Sequence, residues 1–206
     1  MPSEPVRNRR AERRESTKAE ILDAAWAIVR ADGLAALSLR ELARKVGMQA
    51  PSLYQYFDSK HAIYDGMFAQ GNRAFAERLS QVEPTGDPVE DLRRRARAFL
   101  EFSVEDPARY HFLFQRPIPE FEPSPESYEV AMDLLQPTRA LLAAAGLWNR
   151  RALDLWTAIV SGLAAQQLAN DPGGTRWVRL LDDAVDMFFT YMRSDRSDRT
   201  ERHRPD

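Results

Sequence analysis

The 206-residue sequence contains no cysteine, only three histidines and only nine glycines. The absence of cysteine excludes disulfides and thiolate chemistry. His61, His111 and His203 lie far apart without the spacing of metal ligands, and neither a nucleophile elbow nor a glycine-rich phosphate loop occurs. We therefore expect no catalytic residue, no metal and no cofactor, and we do not expect an enzyme.

The chain also lacks any run of roughly 18 apolar residues, the length that a membrane-spanning helix needs. Its first residues, MPSEPVRNRRAERRES, carry charges with no apolar segment behind them, unlike a secretory signal. Hydrophobic residues nevertheless make up 44% of the chain, which is enough for a folded core. Together with the missing cysteines, these features favour a cytoplasmic protein without a membrane partner.

The charges are unevenly distributed along the chain. Residues 1–60 contain 11 Lys and Arg against 8 Asp and Glu, whereas the remainder contains 18 against 23. The first fourteen positions alone hold Arg7, Arg9, Arg10, Arg13 and Arg14. A basic N-terminal part followed by an acidic remainder predicts that a negatively charged partner binds at the N-terminal end of the molecule. The alternative is a solvated, disordered tail without a binding role.

Apolar residues recur at helical spacing, and no convincing strand alternation occurs, so an all-α fold is predicted. Thr17 and Glu20 form a capping box that predicts the start of the first helix, and Gly33 predicts its end. Ser38 and Glu41 repeat this signature for a second, short helix.

The second helix is followed by a turn at Gly47 and by a third short helix over about residues 49–57. A fourth, long helix is expected from Ser59 to about Gln81. Two short helices joined by a glycine-containing turn, and framed by longer helices, are the pattern of a helix-turn-helix.

The rest of the chain predicts a helical bundle. Residues 84–88 break the helical pattern, and the proline-rich residues 116–125 predict an extended loop. Pro137 should kink or split the helix that follows, and two long helices are expected over residues 151–170 and 176–193. We therefore expect about nine helices, in an N-terminal three-helix helix-turn-helix domain and a C-terminal helical bundle.

This pattern divides the chain into four parts. We expect a disordered basic arm at residues 1–16, a helix-turn-helix DNA-binding domain at 17–62, a helical ligand-binding and dimerisation domain at 63–193, and a disordered tail at 194–206.

The third helix has the features of a DNA-reading element. A lone helix fits the major groove, where base edges offer distinct donor and acceptor patterns. Leu53 and Phe57 are four residues apart and should anchor this helix to the core. A glutamine on another side, such as Gln49 or Gln55, can pair with adenine. The hydroxyl of Ser38, at the start of the preceding helix, can meet a phosphate.

The most specific segment of the chain lies within residues 17–64. It contains LRELARKVG at residues 39–47, LYQYF at residues 53–57, and then Ser59-Lys60. These segments resemble the tetracycline-repressor (TetR) family of bacterial regulators. The resemblance implies an all-helical homodimer whose last two helices form a four-helix interface. It also implies that Tyr54 and Lys60 hold phosphates of double-stranded DNA, while neighbouring residues face bases or the adjoining backbone.

The residues that we expect at the DNA interface are Ser38, Arg40, Gln49, Ala50, Ser52, Tyr54, Gln55, Tyr56 and Lys60. Simpler interpretations exist for most of them. Tyr54 and Tyr56 could only cover a small core, Gln49 could be only a helix cap, and Lys60 could be an ordinary surface lysine. Arg40 is expected to face phosphates or solvent rather than bases.

The C-terminal half is rich in aromatic residues, which form either a core stripe or the walls of a ligand pocket. We expect a pocket for a small-molecule effector, lined by Phe99, Phe102, His111, Phe112, Phe114, Tyr128, Trp156 and Gln166. The alternatives are that the rings belong to the core, that His111 is an ordinary surface or core histidine, and that Gln166 bonds across an interface.

Stripes of apolar and small residues on the last two helices favour dimerisation, since small residues let helices approach closely. The interface is expected to contain Leu155, Ile159, Gly162, Leu163, Leu181, Val185 and Phe188. A twofold dimer would hold its reading helices about 34–36 Å apart, which predicts an inverted-repeat operator.

These features favour a sequence-specific transcription regulator, and the family resemblance favours a repressor over an activator, although the residues themselves leave both open. We expect a small apolar or amphipathic ligand to bind a form whose reading helices are wrongly spaced, and so to release the DNA. The fourth helix, which spans both domains, would transmit this change from the ligand-binding domain to the DNA-binding domain. The alternative is a helical protein-interaction module without DNA binding, which would have no reason to keep Tyr54 and Lys60 together.

Overall fold

The computed structural model describes residues 9–147 and 149–201, and within them every regular element is helical. The helices are α1 (Arg9–Asp32), α2 (Leu39–Lys45), α3 (Ala50–Leu53), α4 (Lys60–Ser80), α5 (Pro88–Glu105), α6 (Pro107–Phe114), α7 (Pro125–Asp133), α8 (Gln136–Ala144), α9 (Arg150–Asn170) and α10 (Leu181–Glu201). The prediction of an all-α fold is confirmed. The expected helix count of about nine holds when α7 and α8 are counted as one helix, interrupted just before Pro137.

Helix α1 begins eight residues earlier than the sequence pattern predicted. The expected cap, Thr17, lies inside the helix, where its hydroxyl donates to the carbonyl of Arg13 at 3.0 Å. Residues 9–16 contain only good or tolerable helix formers and neither glycine nor proline, so a helix nucleated on the core extends backwards through them. The expected disordered arm is therefore helical from Arg9 onward, and residues 1–8 lie outside the described part.

Helix α10 likewise continues beyond the predicted boundary at residue 193. Its last described residue is Glu201, so residues 194–201 are helical rather than disordered. The remainder of the predicted tail, residues 202–206, lies outside the described residues. Charged residues without an apolar period do not by themselves end a helix that is already anchored to a core.

Two hydrophobic cores organise the molecule. The first combines α1–α4 with α5 and α6, and it contains Ile21, Leu42, Leu53 and Met67. The second joins α5 to α8, α9 and α10 around Trp156. Phe99 and Phe114 pack against both cores, so these two rings mark the seam between them.

Helix α4 crosses the predicted domain boundary at residue 62 without a break in packing. A Cβ at Gly66 would lie 3.0 Å from Leu22 and 3.2 Å from Phe57, so α4 approaches the N-terminal helices closely. A Cβ at Gly71 would lie 2.9 Å from Leu113 of α6. The middle of α4 is thus packed closely against both the N-terminal helices and α6.

A polar contact also joins the N-terminal helices to the bundle. The Asp106 carboxylate caps α6 by accepting the Arg109 backbone N–H at 3.1 Å, and it accepts the Arg30 Nε of α1 at 2.9 Å. The Arg109 guanidinium lies over the Trp26 ring, 5.7 Å from its centroid. Burial alone would raise the pKa of Asp106, but the hydrogen bonds from Arg30 and Arg109 and their positive charges lower that pKa below its ordinary value.

We expect Asp106→Asn to lower the free energy of unfolding at neutral pH by about 1 kcal/mol, since the partly exposed Arg30 loses its ionic partner. Because the folded-state pKa is lowered, the carboxylate stabilises the native state above its unfolded pKa. That contribution is lost as the pH falls through the pKa that Asp106 has in the folded state. Denaturant titrations should therefore show that the difference in the free energy of unfolding between wild type and variant shrinks from neutral pH to about pH 3.

The matched control for this prediction is Asp32→Asn, at the exposed end of α1. It should leave unfolding nearly unchanged. A pH-independent deficit in the Asp106 variant would contradict the ionic role.

Candidate nucleic-acid interface and effector cavity

The turn between α2 and α3 fixes the angle of residues 49–57, which are called the candidate reading segment. Gly47 adopts a φ of 69°, the left-handed conformation that ends α2. The Met48 N–H donates to the Ala43 carbonyl at 2.9 Å, and the Gly47 N–H donates to the Arg44 carbonyl at 3.3 Å. These two bonds form a Schellman motif, which satisfies carbonyls at the end of α2 and directs the chain into α3.

Helix α3 is shorter than the sequence predicted. It ends at Leu53, and overlapping turns carry the chain to Phe57, whose N–H donates to the Leu53 carbonyl at 2.9 Å. Leu53 is 1% exposed and Phe57 is buried, whereas Tyr54 is 52% exposed and Gln55 is exposed as well. The segment therefore has a buried anchoring side and an open polar side.

The remaining predicted DNA-contacting residues surround this segment at the surface. Ser38, Arg40 and Gln49 are exposed. The other four are half-buried: Ala50, Ser52, Tyr56 and Lys60. Each of these side chains therefore keeps some access to solvent.

Two helix starts flank the reading segment. The Ser38 hydroxyl accepts the Glu41 N–H at 3.2 Å, and the Ser59 hydroxyl accepts the Ala62 N–H at 3.0 Å. Lys60, the first residue of α4, holds its Nζ 5.3 Å from the centroid of the Tyr64 ring. Such helix starts favour anions through free N–H groups and the helix dipole, so this face has the chemistry to meet phosphates.

The glutamate in the predicted capping box of α2 has a different partner. Arg44 Nε donates to Glu41 at 3.0 Å, so the carboxylate does not reach back to the start of the helix. This hydrogen bond lowers the pKa of Glu41 below its ordinary value. Arg44 thus neutralises the acidic group nearest to Ser38.

Arg14 has a role that the sequence pattern does not predict. Its guanidinium donates to the Gln55 carbonyl and lies over the Tyr56 ring, 5.5 Å from the centroid. Helix α1 therefore extends alongside the reading segment and carries the exposed Arg10 and Arg13 with it. The available sequence signal was the absence of any helix breaker between residues 9 and 16, but the capping pattern at Thr17 was given more weight.

A cavity of about 430 Å³ lies at the seam between the two cores. Four of the predicted ligand-pocket residues line it: Phe99, Phe114, Tyr128 and Trp156. A neighbouring cavity of about 430 Å³ is lined by Phe112, Phe114 and Tyr128 together with the proline-rich loop.

Three predicted pocket residues line neither cavity. Phe102 is buried in the first core, with its ring centroid 5.0 Å from that of Phe75. His111 is exposed, and Gln166 is exposed and accepts a hydrogen bond from Asn170 at 2.7 Å. Adjacent residues of a helix point about 100° apart, so His111 faces away from the cavities that Phe112 and Leu113 line.

The cavity at the seam between the two cores also contains two polar residues that the sequence pattern did not predict. Arg95 and Asn72 both line it. The Asn72 amide donates to the Phe68 carbonyl at 2.9 Å. Arg95 stands three residues after Leu92 and four before Phe99, so helical spacing could have assigned it to the apolar face of α5.

The predicted dimer-interface residues separate into two groups. Gly162 is exposed, and the other residues from α9 are half-buried: Leu155, Ile159 and Leu163. The three from α10 are at most 2% exposed and belong to the second core: Leu181, Val185 and Phe188. They cannot meet a partner, because the strongest apolar stripe of α10 is already buried in its own subunit. The outward face of α10 instead presents Met187, which is 62% exposed, and Tyr191, which is 48% exposed.

Within residues 9–147 and 149–201, none of the helices combines the length and apolar character needed to cross a membrane. The same residues contain no group of three or more His, Asp or Glu that could hold a metal ion.

Comparison with known proteins supports a regulatory role. The family of bacterial regulatory proteins called tetR matches residues 21–67. The HTH-type transcriptional regulator Rv1816 of Mycobacterium tuberculosis is 27% identical over 124 residues, which cover 57% of this chain and 52% of that protein. This chain thus spans about half the length of the curated relatives that it matches.

Solved structures share the fold. The regulatory protein SCO4313 has a TM-score of 0.73 at 22% identity, covering 86% of this chain and 97% of its own. The transcriptional regulator FadR of Bacillus subtilis, solved with stearoyl-CoA, has a TM-score of 0.62 at 16% identity. The match covers 83% of this chain and 97% of the FadR chain. At these identities the likeness concerns the helical arrangement.

We expect Arg14→Gln to loosen the reading segment without unfolding the protein. Losing the contacts to Tyr56 and the Gln55 carbonyl should speed amide hydrogen exchange at residues 54–57 by about two- to fivefold. The control is Arg10→Gln, an exposed arginine of the same helix, which should exchange like wild type. Equal exchange in both variants would show that Arg14 does not hold the segment.

Proposed function

We propose, on the premise that this chain belongs to the tetR family of bacterial regulatory proteins, that it is a repressor released from its operator by a small amphipathic molecule. DNA-binding regulation is the common property of this family and of the helix-turn-helix relatives. The observation that carries the proposal is the reading segment, which is anchored by Leu53 and open to solvent at Tyr54 and Gln55. The proposed site of action is DNA in the cytoplasm.

The proposed reading of DNA divides the residues by role. Tyr54, Lys60, Ser38 and Arg40 contact phosphates and set the register, because phosphate contacts position a protein without specifying sequence. Gln49, Ala50, Ser52, Gln55 and Tyr56 face base edges or the adjoining backbone. The basic side chains at the start of α1 add salt-dependent affinity along the duplex.

This division predicts different effects of two substitutions on DNA binding. Lys60→Gln should weaken binding to all duplexes and reduce the slope of log affinity against log salt by about 1. Gln49→Ala should instead relax the base preference at one position of the operator, where a good bidentate contact discriminates by about 1–3 kcal/mol. Both are measured by mobility shift, on operators obtained from an unbiased selection of bound fragments.

The control for both variants is Arg179→Gln, which removes a positive charge from the exposed turn before α10 and should leave binding unchanged. An unaltered salt slope for the Lys60 variant would contradict its phosphate role. Failure of the wild-type chain to enrich any DNA sequence would overturn the proposed function itself.

We further propose a homodimer built from α9 and α10. The outward face of this pair combines the open surface at Gly162 with half-buried Ile159 and Leu163 and with exposed Met187 and Tyr191. Apart from its chain neighbours and the backbone of its own helix, no described atom lies within 4 Å of a Cβ built at Gly162, so a second helix can approach closely there. A twofold axis through this face would pair two reading segments with the half-sites of an inverted repeat.

We expect Gly162→Arg to produce a folded monomer. The substitution meets no clash within the subunit, and it improves helix propensity by up to about 1 kcal/mol. A charged side chain at the twofold face should nevertheless block association. Sedimentation velocity should then show a monomer, and operator affinity should fall.

Ala140→Arg is the matched control, since it adds the same side chain at an exposed position of α8. It should remain dimeric. A Gly162 variant that stays dimeric would place the interface elsewhere.

The proposed release mechanism uses the seam between the two cores. Leu113 and Phe114 of α6 line the cavity, and Asp106 at the start of α6 holds Arg30 of α1. A ligand that favours a wider cavity would shift α6 and α4 and so change the spacing of the reading segments in the dimer. The structure of FadR with stearoyl-CoA supports the use of this fold for an amphipathic effector.

A further inference from the structure

The cavity at the seam has an unusual electrostatic composition. Among the nineteen described residues that line it, Arg95 carries the single formal charge, and none is acidic. Six aromatic rings form much of the wall: Phe68, Phe75, Phe99, Phe114, Tyr128 and Trp156. A cation in such surroundings lacks the compensation that buried charges usually have.

Arg95 belongs to a run of three arginines on α5, and the other two have acidic partners. Arg93 Nη2 donates to Asp186 at 2.7 Å, and Arg94 Nε donates to Glu90 at 3.0 Å. The Nε of Arg95 is buried and has no hydrogen-bond partner within the described part of the chain. Helical geometry turns the third arginine away from the acids that its neighbours reach and toward the cavity.

Arg95 is half-buried, but its Nε is buried without a hydrogen-bond partner, and such an unsatisfied donor is unfavourable enough to require a reason. Burial lowers the pKa of Arg95, and no acidic group offsets that effect. The Thr157 hydroxyl, which also lines the cavity, donates its proton to the Leu153 carbonyl at 3.0 Å. Within the described part of the subunit, the Nε donor of Arg95 is left without an acceptor.

We propose that this cavity binds a carboxylate with an apolar body, whose carboxylate pairs with the guanidinium of Arg95 while the body packs among Phe75, Phe99 and Trp156. A guanidinium presents parallel N–H donors that match the two oxygens of a carboxylate. A single cation matches a monoanion, and it disfavours amines. The volume of about 430 Å³ is that of a small-molecule site. This inference rests on the proposed function only in treating the cavity as the effector site.

Three probes with the same ten-carbon chain test the proposal: decanoate, 1-decanol and decylamine. Isothermal titration should show that decanoate binds the wild-type protein at least about tenfold more tightly than decanol, and that decylamine binds most weakly. Arg95→Met keeps an unbranched apolar stem but removes the guanidinium and its charge. It should weaken decanoate binding by about tenfold to a hundredfold while leaving decanol binding unchanged.

The matched control is Arg94→Met, on the exposed side of α5, which should bind all three probes like wild type. Equal affinities of wild type for decanoate and decanol would overturn the proposal, as would undiminished decanoate binding by the Arg95 variant.

A thermal measurement distinguishes ligand recognition from a structural role. Without ligand, Arg95→Met should unfold at the same temperature as wild type or higher, because the unpaired buried charge is gone. Decanoate should raise the unfolding temperature of wild type and of Arg94→Met but not that of Arg95→Met. A markedly lower unfolding temperature for the unliganded Arg95 variant would show that Arg95 stabilises the fold and would overturn the proposal.

All of these measurements are made without DNA, so their failure leaves the proposed DNA-binding function untouched. A separate mobility-shift titration with decanoate then addresses release. Tight, Arg95-dependent decanoate binding that leaves operator affinity unchanged would support the cavity assignment and contradict the release mechanism.

Discussion

The packing of α4 against both α1 and α6 is the constraint on which the rest of the structure depends. Its 21 residues form a rod about 30 Å long. The first residue, Lys60, lies beside the candidate reading segment, whereas Asn72 and Leu79 line the cavity. The close approaches at Gly66 and Gly71 leave no room for α4 to slide freely. A shift of the end of α4 that lines the cavity must therefore be accommodated at the end that bears Lys60 or in α1.

The charged residues of the bundle show which contacts belong to the fold. Asp106 is paired with Arg30 across the junction of α1 and α6, and Arg93 is paired with Asp186 between α5 and α10. These pairs join elements that packing already brings together. Arg95 departs from this rule, since it is held in an apolar wall without a partner. The ionic pairs that join these helices are satisfied within the fold, whereas the buried Nε of Arg95 has no partner among the described residues and suits an anionic ligand.

Competition between core and interface explains the largest error in the predicted sites. The apolar stripe of Leu181, Val185 and Phe188 was assigned to the dimer, but it packs on Trp156 within the same subunit. The strongest stripe of an amphipathic helix is buried first in its own core, since that contact forms without a second chain. A dimer must then use the weaker face, where Met187 and Gly162 are exposed.

The helical class, the order of the helices and the buried anchors Leu53 and Phe57 could all be predicted from the sequence. They follow from local periodicity, from the positions of glycine and proline and from the spacing of apolar residues. Only the tertiary structure decided that Arg14 reaches Gln55, that Asp106 holds Arg30 and that Arg95 lines a cavity. Each of these depends on which face of one helix meets a helix distant in the chain. Helical periodicity fixes the faces of a helix but not the partner that each face will meet.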